Sequence, residues 1–419
     1  MYDLVIKNVR IDQLKIKDIA MKDGCICKIG SISEPANKVV DGEKRWLLPP
    51  YVESHVHLDT ALISGKPFVN QSGELFEGIN IWNKYKENFL THEDVMERAK
   101  TVIKMMAGQG VLFMRCMVDI SDPQLTALKA LLEVKRSVAH FMTVQLVGFP
   151  QNGLLSSKDG FLQLEQAIDL GVDGISAVPH LEATREKGVT SLEQCFQLAV
   201  KHKKFLHIFC DEIDDSQSRF LEVVASLAIE TGLHEQVTAS HVNAMSYYDE
   251  AYVRKLLDLL KASRINIVTA PLINSAMQGR VDASPKGRGI TRVKELHEAG
   301  INVAVAHDDI LSPFYPLGTG SMLAAGHMLL HLAHMTGEKD FKTVLQMMTS
   351  NAAKVLGIKR YEINEGNQAN FILVSAANAQ DLLRRQPVAE LVVANGQILA
   401  ETPKQETKWN GFLEMPRHL

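Results

Sequence analysis

The residues of this chain best suited to chemistry fall in four short clusters. His55 and His57 stand two apart in Glu53-Ser54-His55-Val56-His57-Leu58-Asp59, at the end of an apolar run. On a strand, a spacing of two puts both imidazoles on one face, where they can grip a single cation. Carboxylates close another run, at His307-Asp308-Asp309, and two further runs end in Cys210-Asp211-Glu212 and Ser240-His241. An acidic residue and a histidine at neighbouring strand ends can exchange protons with a substrate ring while a cation-activated water attacks it. Each cluster also has a plainer reading. Two histidines fall two apart by chance near a loop, and Asp308 and Asp309 would serve as a helix cap or a turn. Convergence decides between the two readings, and convergence depends on the elements that carry the clusters.

From Trp46 onward, short apolar runs alternate with long helical patterns, the signature of repeated β/α units and a mainly parallel sheet. The runs are Trp46 to Val56, Gly110 to Val118, Phe141 to Phe149, Gly174 to Pro179, Phe205 to Cys210, Val237 to His241, Ile265 to Leu272 and Asn302 to His307. Ser121-Asp122-Pro123-Gln124 and Thr190-Ser191-Leu192-Glu193 read as helix starts between them. Eight strands, each followed by a helix, define the expected fold class: α/β, a (β/α)₈ TIM barrel. Functional residues of such a barrel come from the C-terminal strand ends, and the first and eighth strands are neighbours, so Asp308 would face His55 and His57. Both chain ends read as strands instead: Leu4 to Ile11, Lys15 to Ala20 and Cys25 to Ile29 before the barrel, Ala369 to Ser375, Ala389 to Val393 and Ile398-Leu399 after it. We therefore expect a barrel over residues 46–361 and a small β domain built jointly from residues 1–45 and 362–419. Either strand group alone would leave edges and an apolar face uncovered.

Composition narrows the function classes. A chain of 419 residues, 46% hydrophobic and 22% charged, reads as a soluble globular protein, not a disordered or collagen-like one. The net charge of -4, without long like-charge runs, offers polyanions no footprint, so nucleic acid is not an expected partner. No stretch approaches the apolar length of a membrane span, and charge interrupts the opening Met1 to Lys7 at once; neither a membrane segment nor a signal peptide is expected. Five scattered cysteines without a C-x-x-C pair suit reduced thiols in a cytoplasmic protein. Other motifs carry less. His327, His331 and His334 share a helical face but lack an H-E-x-x-H arrangement, and Cys25 and Cys27 have no partner pair. Gly318-Thr319-Gly320 lacks the third glycine of a dinucleotide fingerprint.

Taken together, the ordered stretches resemble the amidohydrolase superfamily, and within it are similar to the bacterial cytosine deaminases. The resemblance runs over nearly the whole chain. It rests on His55-Val56-His57-Leu58-Asp59-Thr60, Asn70 to Gly78, Phe149-Pro150-Gln151, Cys210 to Asp215, Thr238 to His241, Gln278-Gly279-Arg280, Gly287 to Glu295 and His307-Asp308-Asp309. It implies a single Fe or Zn ion held by His55, His57 and Asp308, with Asp308 also receiving the proton of the attacking water. Glu212 would carry that proton to a ring nitrogen, and His241 would hold the attacking hydroxide or its developing charge. Gln151 would read the carbonyl edge of a small heterocyclic substrate, Asp309 would sit near the leaving amino group, and Leu75 and Phe314 would line the ring. The resemblance also implies a homo-oligomer.

One departure bears on all of this. The family carries a fourth ligand, a histidine, two residues before the Asp-Glu pair, and here that position is Phe209. Where the family ends its second strand Arg-Thr-His-Val-Asp, this chain reads Arg115-Cys116-Met117-Val118-Asp119. His207 faces the same side as Phe209 but lies about 6 to 7 Å deeper by strand rise, too deep to coordinate. His241, on the next strand, is the better substitute. Two expectations follow: a deaminase with an altered, weakly binding metal site, or a catalytically impaired relative that keeps the ring pocket.

Overall fold

The computed structural model describes residues 1–11, 15–284 and 286–404. Residues 405–419, the tail of the expected β domain, lie outside the described residues. The chain opens with strands β1 (Tyr2–Arg10), β2 (Ile16–Lys22), β3 (Cys25–Gly30), β4 (Ala36–Asp41) and β5 (Trp46–Leu48). Pro49 and Pro50 follow, and because proline donates no ladder hydrogen bond the expected single run from Trp46 to Val56 becomes two strands. The break hands the chain from one sheet to another. The second sheet holds β6 (Tyr51–His57), β7 (Val111–Asp119), β8 (Thr143–Phe149), β9 (Gly174–Ile175), β10 (Phe205–Cys210), β11 (Val237–His241), β12 (Asn266–Thr269) and β13 (Asn302–Val305), side by side in chain order and parallel.

A parallel bridge between Val56 and Asp308 closes this sheet into a barrel. Glu53 fastens the seam: its carboxylate accepts from His55 N at 3.0 Å and from His307 N at 2.9 Å, joining the ends of β6 and β13. Every residue of β6 and β7 is buried, as expected where helices cover one face of a parallel strand and the barrel interior the other. The fold is thus an α/β TIM barrel. The first sheet is completed from the far end of the chain, where β14 (Phe371–Val374) pairs antiparallel with β5 on one side and β15 (Ala389–Ala394) on the other, and β16 (Gln397–Glu401) completes the edge. Leu4, Ile6, Ile19, Met21, Leu47, Phe371 and Leu373 form its core.

Four local expectations need correction. The run expected over Ile265 to Leu272 is strand only over Asn266–Thr269, and Pro271 opens the helix Pro271–Met277. The strand expected over Gly174 to Pro179 stops at Ile175, because Pro179 opens a 3₁₀ turn, Pro179–Leu181, that carries His180 to the barrel mouth. The helix expected to start at Thr190 runs Arg185–His202; Thr184 is its cap, accepting from Lys187 N, and Thr190 lies within it. The helix expected near Ser121 starts at Thr126, with Asp122 accepting from Thr126 N at 2.8 Å.

Candidate active site

Strand ends deliver the polar residues to one place. His55 is fully buried, and its two ring nitrogens face different neighbours. Nδ1 lies 3.0 Å from His207 Nε2, whose far nitrogen lies 3.2 Å from Arg115 Nη1. Arg115 is fixed in turn by Gln145 Oε1 at 2.9 Å and the Val355 carbonyl at 2.7 Å. His207 therefore buttresses the ring of His55 from below. On the other side His55 Nε2 is 3.8 Å from Asp308 Oδ2, His57 Nε2 is 3.7 Å from Asp308 Oδ1, and His241 Nε2 is 3.8 Å from Asp308 Oδ2.

The backbone is bent to achieve this. His241 (φ 69°) and Asp308 (φ 72°) both lie in the left-handed region, a strained choice for residues with a Cβ and one that concentrates at functional sites. Backbone bonds hold the bends: Val242 N donates to the Cys210 carbonyl at 2.9 Å, and Asp308 N to the His55 carbonyl at 3.1 Å.

His55 Nε2, His241 Nε2 and both carboxylate oxygens of Asp308 are buried without a hydrogen-bond partner. Orphaned polar atoms at this depth cost about 1–3 kcal/mol each, and here they point at one another. Two groups that share Asp308, His55–His241–Asp308 and His57–Asp308–Asp309, each bring three ligand atoms within 4.8 Å of one another, a donor set that fits a divalent cation such as zinc. Burial pushes the His241 imidazole down to about 4 and holds that of His55 well below its usual value, so both rings are neutral and able to ligate. Burial acts the other way on the acids. It raises Asp308 and Asp309, and it brings Glu212 up to about 8, with Asn274 Nδ2 donating to Glu212 Oε1 at 3.3 Å as a partial counterweight.

A cavity of about 40 Å³ adjoins this cluster, lined by His57, Glu212, His241, Asp308, Asp309 and Gln151 on its polar side. Leu75, Phe314, Phe149, Val178 and Phe209 line it as well. Each expected site residue reaches this wall except His55, which sits beneath it against Asp308. Gly78 lets the helix Leu75–Asn88 lie against Phe314, since a Cβ there would come within 2.7 Å of the phenyl ring. Two residues of the site were not anticipated from sequence. His180 lines the cavity with a buried, unpartnered Nδ1, and Asn274 touches both Glu212 and His241 Nδ1. His180 follows a strand end as the other clusters do, so inspecting the fourth strand end would have found it. Nothing in the helix Pro271–Met277 marks Asn274 out.

Phe209 stacks on Phe149 (centroids 4.7 Å apart, 29° between planes) and on His241 (5.4 Å, 23°), and meets His55 edge-on at 4.8 Å. Met117, Val147, Phe149, Val178 and Phe209 form one buried cluster. Phe209 and Met117, the positions at which the resemblance expects histidine, thus pack together in a single apolar wall beside the donors.

A barrel with this ring of histidine and carboxylate at its C-terminal mouth defines a class of hydrolases. The chain belongs to the amidohydrolase family, which it matches over residues 87–400. It is similar to 5-methylcytosine deaminase from Klebsiella pneumoniae, solved with 5-fluorocytosine, at 40% identity and a TM-score of 0.93, covering 97% of this chain and 99% of that one. N-isopropylammelide isopropyl amidohydrolase of Pseudomonas sp. strain ADP is 25% identical over 96% of this chain and 98% of its own length. Atrazine chlorohydrolase from Arthrobacter aurescens, solved with zinc, shares the fold at 17% identity, a TM-score of 0.70 and 95% coverage of both chains. No helix among the described residues is long and apolar enough to cross a membrane.

Proposed function

We propose that the protein hydrolytically deaminates a cytosine-like aminopyrimidine or a related ring, using Glu212, His241 and Asp308. The observation that carries this reading is the convergence of Glu212, Asp308, Asp309 and Gln151 with His241 on one small buried cavity. Four such groups repel or go unsatisfied unless a ligand answers them. The likeness to a deaminase solved with 5-fluorocytosine supports a pyrimidine as that ligand.

His55, His57 and Asp308 would hold one Fe or Zn ion, with His241 at hand. When bound, a divalent cation supplies Lewis-acid activation of water at neutral pH. Asp308 takes the proton that the water loses. Glu212, which burial keeps protonated near neutrality, gives its proton to the ring nitrogen and takes the second proton of the added water as the new carbonyl forms, while Asp308 passes the first to the leaving amine. Gln151 can accept from a ring N–H and donate to the adjoining carbonyl, which orients the ring. Asp309 lies beside the position of the amino group. A cavity of 40 Å³ is far below the roughly 300 Å³ of common ligand pockets, so ring admission needs lining side chains to move aside.

Phe209 favours a second reading, a relative that binds the ring without efficient turnover, because its phenyl ring fills the place of the missing ligand. The two readings part in one experiment: metal analysis of the purified protein together with ammonia release from cytosine, 5-methylcytosine and aminotriazines. The deaminase reading expects turnover that falls about 10²- to 10⁴-fold in Glu212→Gln with ring binding retained. Ring binding without ammonia at saturating Zn²⁺ or Fe²⁺ would establish the second reading, and no binding of any of these rings would refute both. All five cysteines are free thiols, which suits a reducing compartment such as the cytoplasm.

A further inference from the structure

On the outside of the barrel, one pair of side chains has the geometry of a chelate and no part in the chemistry above. His327 and His331 stand one turn apart on the helix Met322–Leu332, with their Nε2 atoms 3.2 Å from each other. His327 Nδ1 lies 2.9 Å from the Leu383 carbonyl. A carbonyl only accepts, so Nδ1 carries the hydrogen, and the Nε2 of the neutral ring turns a lone pair toward His331. His331 is exposed, so its own hydrogen can move to Nδ1 and face water, which frees a second lone pair. Two nitrogens each 2.0–2.1 Å from one tetrahedral ion stand about 3.3 Å apart, and the observed spacing matches. The carbonyl behind His327 is the kind of support that holds a metal-binding imidazole in orientation. Arg288 Nη1 donates to the His331 carbonyl at 3.0 Å and fixes the end of the helix, so the spacing of the pair is not left to fraying.

We propose that His327 and His331 form a second, surface site for a borderline divalent ion of the Zn²⁺, Ni²⁺ or Cu²⁺ class, with water in the remaining positions. Without an ion the two rings share an ordinary hydrogen bond, which the ion replaces. Through the Leu383 carbonyl the site joins this helix to the helix Ala379–Arg385, so an ion bound there stabilises the packing of the last helices. The proposal does not depend on the deaminase reading.

The test uses full-length protein without an affinity tag, stripped with chelator and then titrated with Ni²⁺. Tm and retention on an immobilised Ni²⁺ column are measured for wild type, His331→Gln and the neighbouring control His334→Gln. The barrel imidazoles are buried and cannot reach a column-bound ion, and any Ni²⁺ they take up raises Tm equally in all three proteins. Wild type and His334→Gln are expected to be retained and to gain Tm beyond the barrel contribution, and His331→Gln to lose both effects. Retention and Tm gain that are the same in wild type and His331→Gln would overturn the site.

Discussion

Under the proposed deaminase reading, Phe209 is the residue on which activity turns. Its phenyl ring stands at the sequence position where the resemblance expects a fourth imidazole ligand, and it lies against His55, His241 and Phe149. Replacing it by histidine places a donor beside His55, His57 and Asp308, so Phe209→His is expected to raise metal content and ammonia release together. Met117 packs in the same cluster and can obstruct the new ring, which makes Phe209→His/Met117→His the companion variant. If both variants bind metal stoichiometrically and neither releases ammonia from any aminopyrimidine or aminotriazine, the pocket serves another ligand. His207 acts one step further out. It touches only the far nitrogen of His55, and partners in that position typically contribute 10- to 100-fold to metal affinity. His207→Ala should weaken Zn²⁺ binding by about that factor, read by competition with a chromogenic chelator, and an unchanged affinity would remove His207 from the site. Its role was hidden in the sequence because strand rise measures depth. The rise set His207 one layer below His55 and could not indicate that the two rings would meet.

At the scale of elements, the helix Leu75–Asn88 is held over the barrel mouth by one buried carboxylate. Asp119, at the end of β7, accepts from Trp82 Nε1 and Lys86 Nζ, both at 2.7 Å, and from Ser121 N at 2.8 Å and Oγ at 2.9 Å. Lys86 and these hydrogen bonds outweigh burial and hold the Asp119 carboxyl below its usual range. A depressed acid stabilises the fold above its unfolded value of about 3.9, and that contribution is lost as pH falls through the folded value. Asp119→Asn leaves the part-buried Lys86 with Ser121 Oγ but without its charged partner, and should cost up to about 3 kcal/mol at pH 7 in urea unfolding. The gap to wild type should narrow as the pH is lowered toward 3, and a gap independent of pH would mean that shape, not charge, is what Asp119 supplies. The elements themselves were largely legible. Apolar runs marked each barrel strand because parallel strands are buried on both faces. Boundaries fared worse where a cap does not fit the usual pattern: Thr184 caps its helix with lysine, not glutamate, three residues on, so Thr190 with Glu193 looked like the better start. The double proline at 49 and 50 was a break in plain sight, concealed by the apolar residues on both sides.

For the molecule as a whole, the question is whether barrel and terminal sheet stand or fall together. Chains of this length often unfold through intermediates, and a sheet built from both ends is a natural place for one. Several contacts argue for coupling. β5 runs into β6 across only two prolines, the Tyr361 hydroxyl hydrogen-bonds the Pro50 carbonyl, and Asn395 Nδ2 donates to the His140 carbonyl of the barrel at 2.8 Å. Ile372 and Ala389 also pack over Gly110 at the start of β7, where an added Cβ would come within 2.9 Å of the Ile372 side chain. Phe371, fully buried in the terminal sheet and far from the catalytic residues, is the test position. Phe371→Ala should cost about 3–5 kcal/mol, the usual loss for truncating a buried phenyl ring. If the contacts couple the two sheets, wild type and variant each unfold in one transition, and Zn²⁺ bound in the barrel raises the melting temperature of that same transition in both. Two transitions, with Phe371→Ala shifting only the first and Zn²⁺ only the second, would mean that the terminal sheet melts alone and that the barrel holds its site without it.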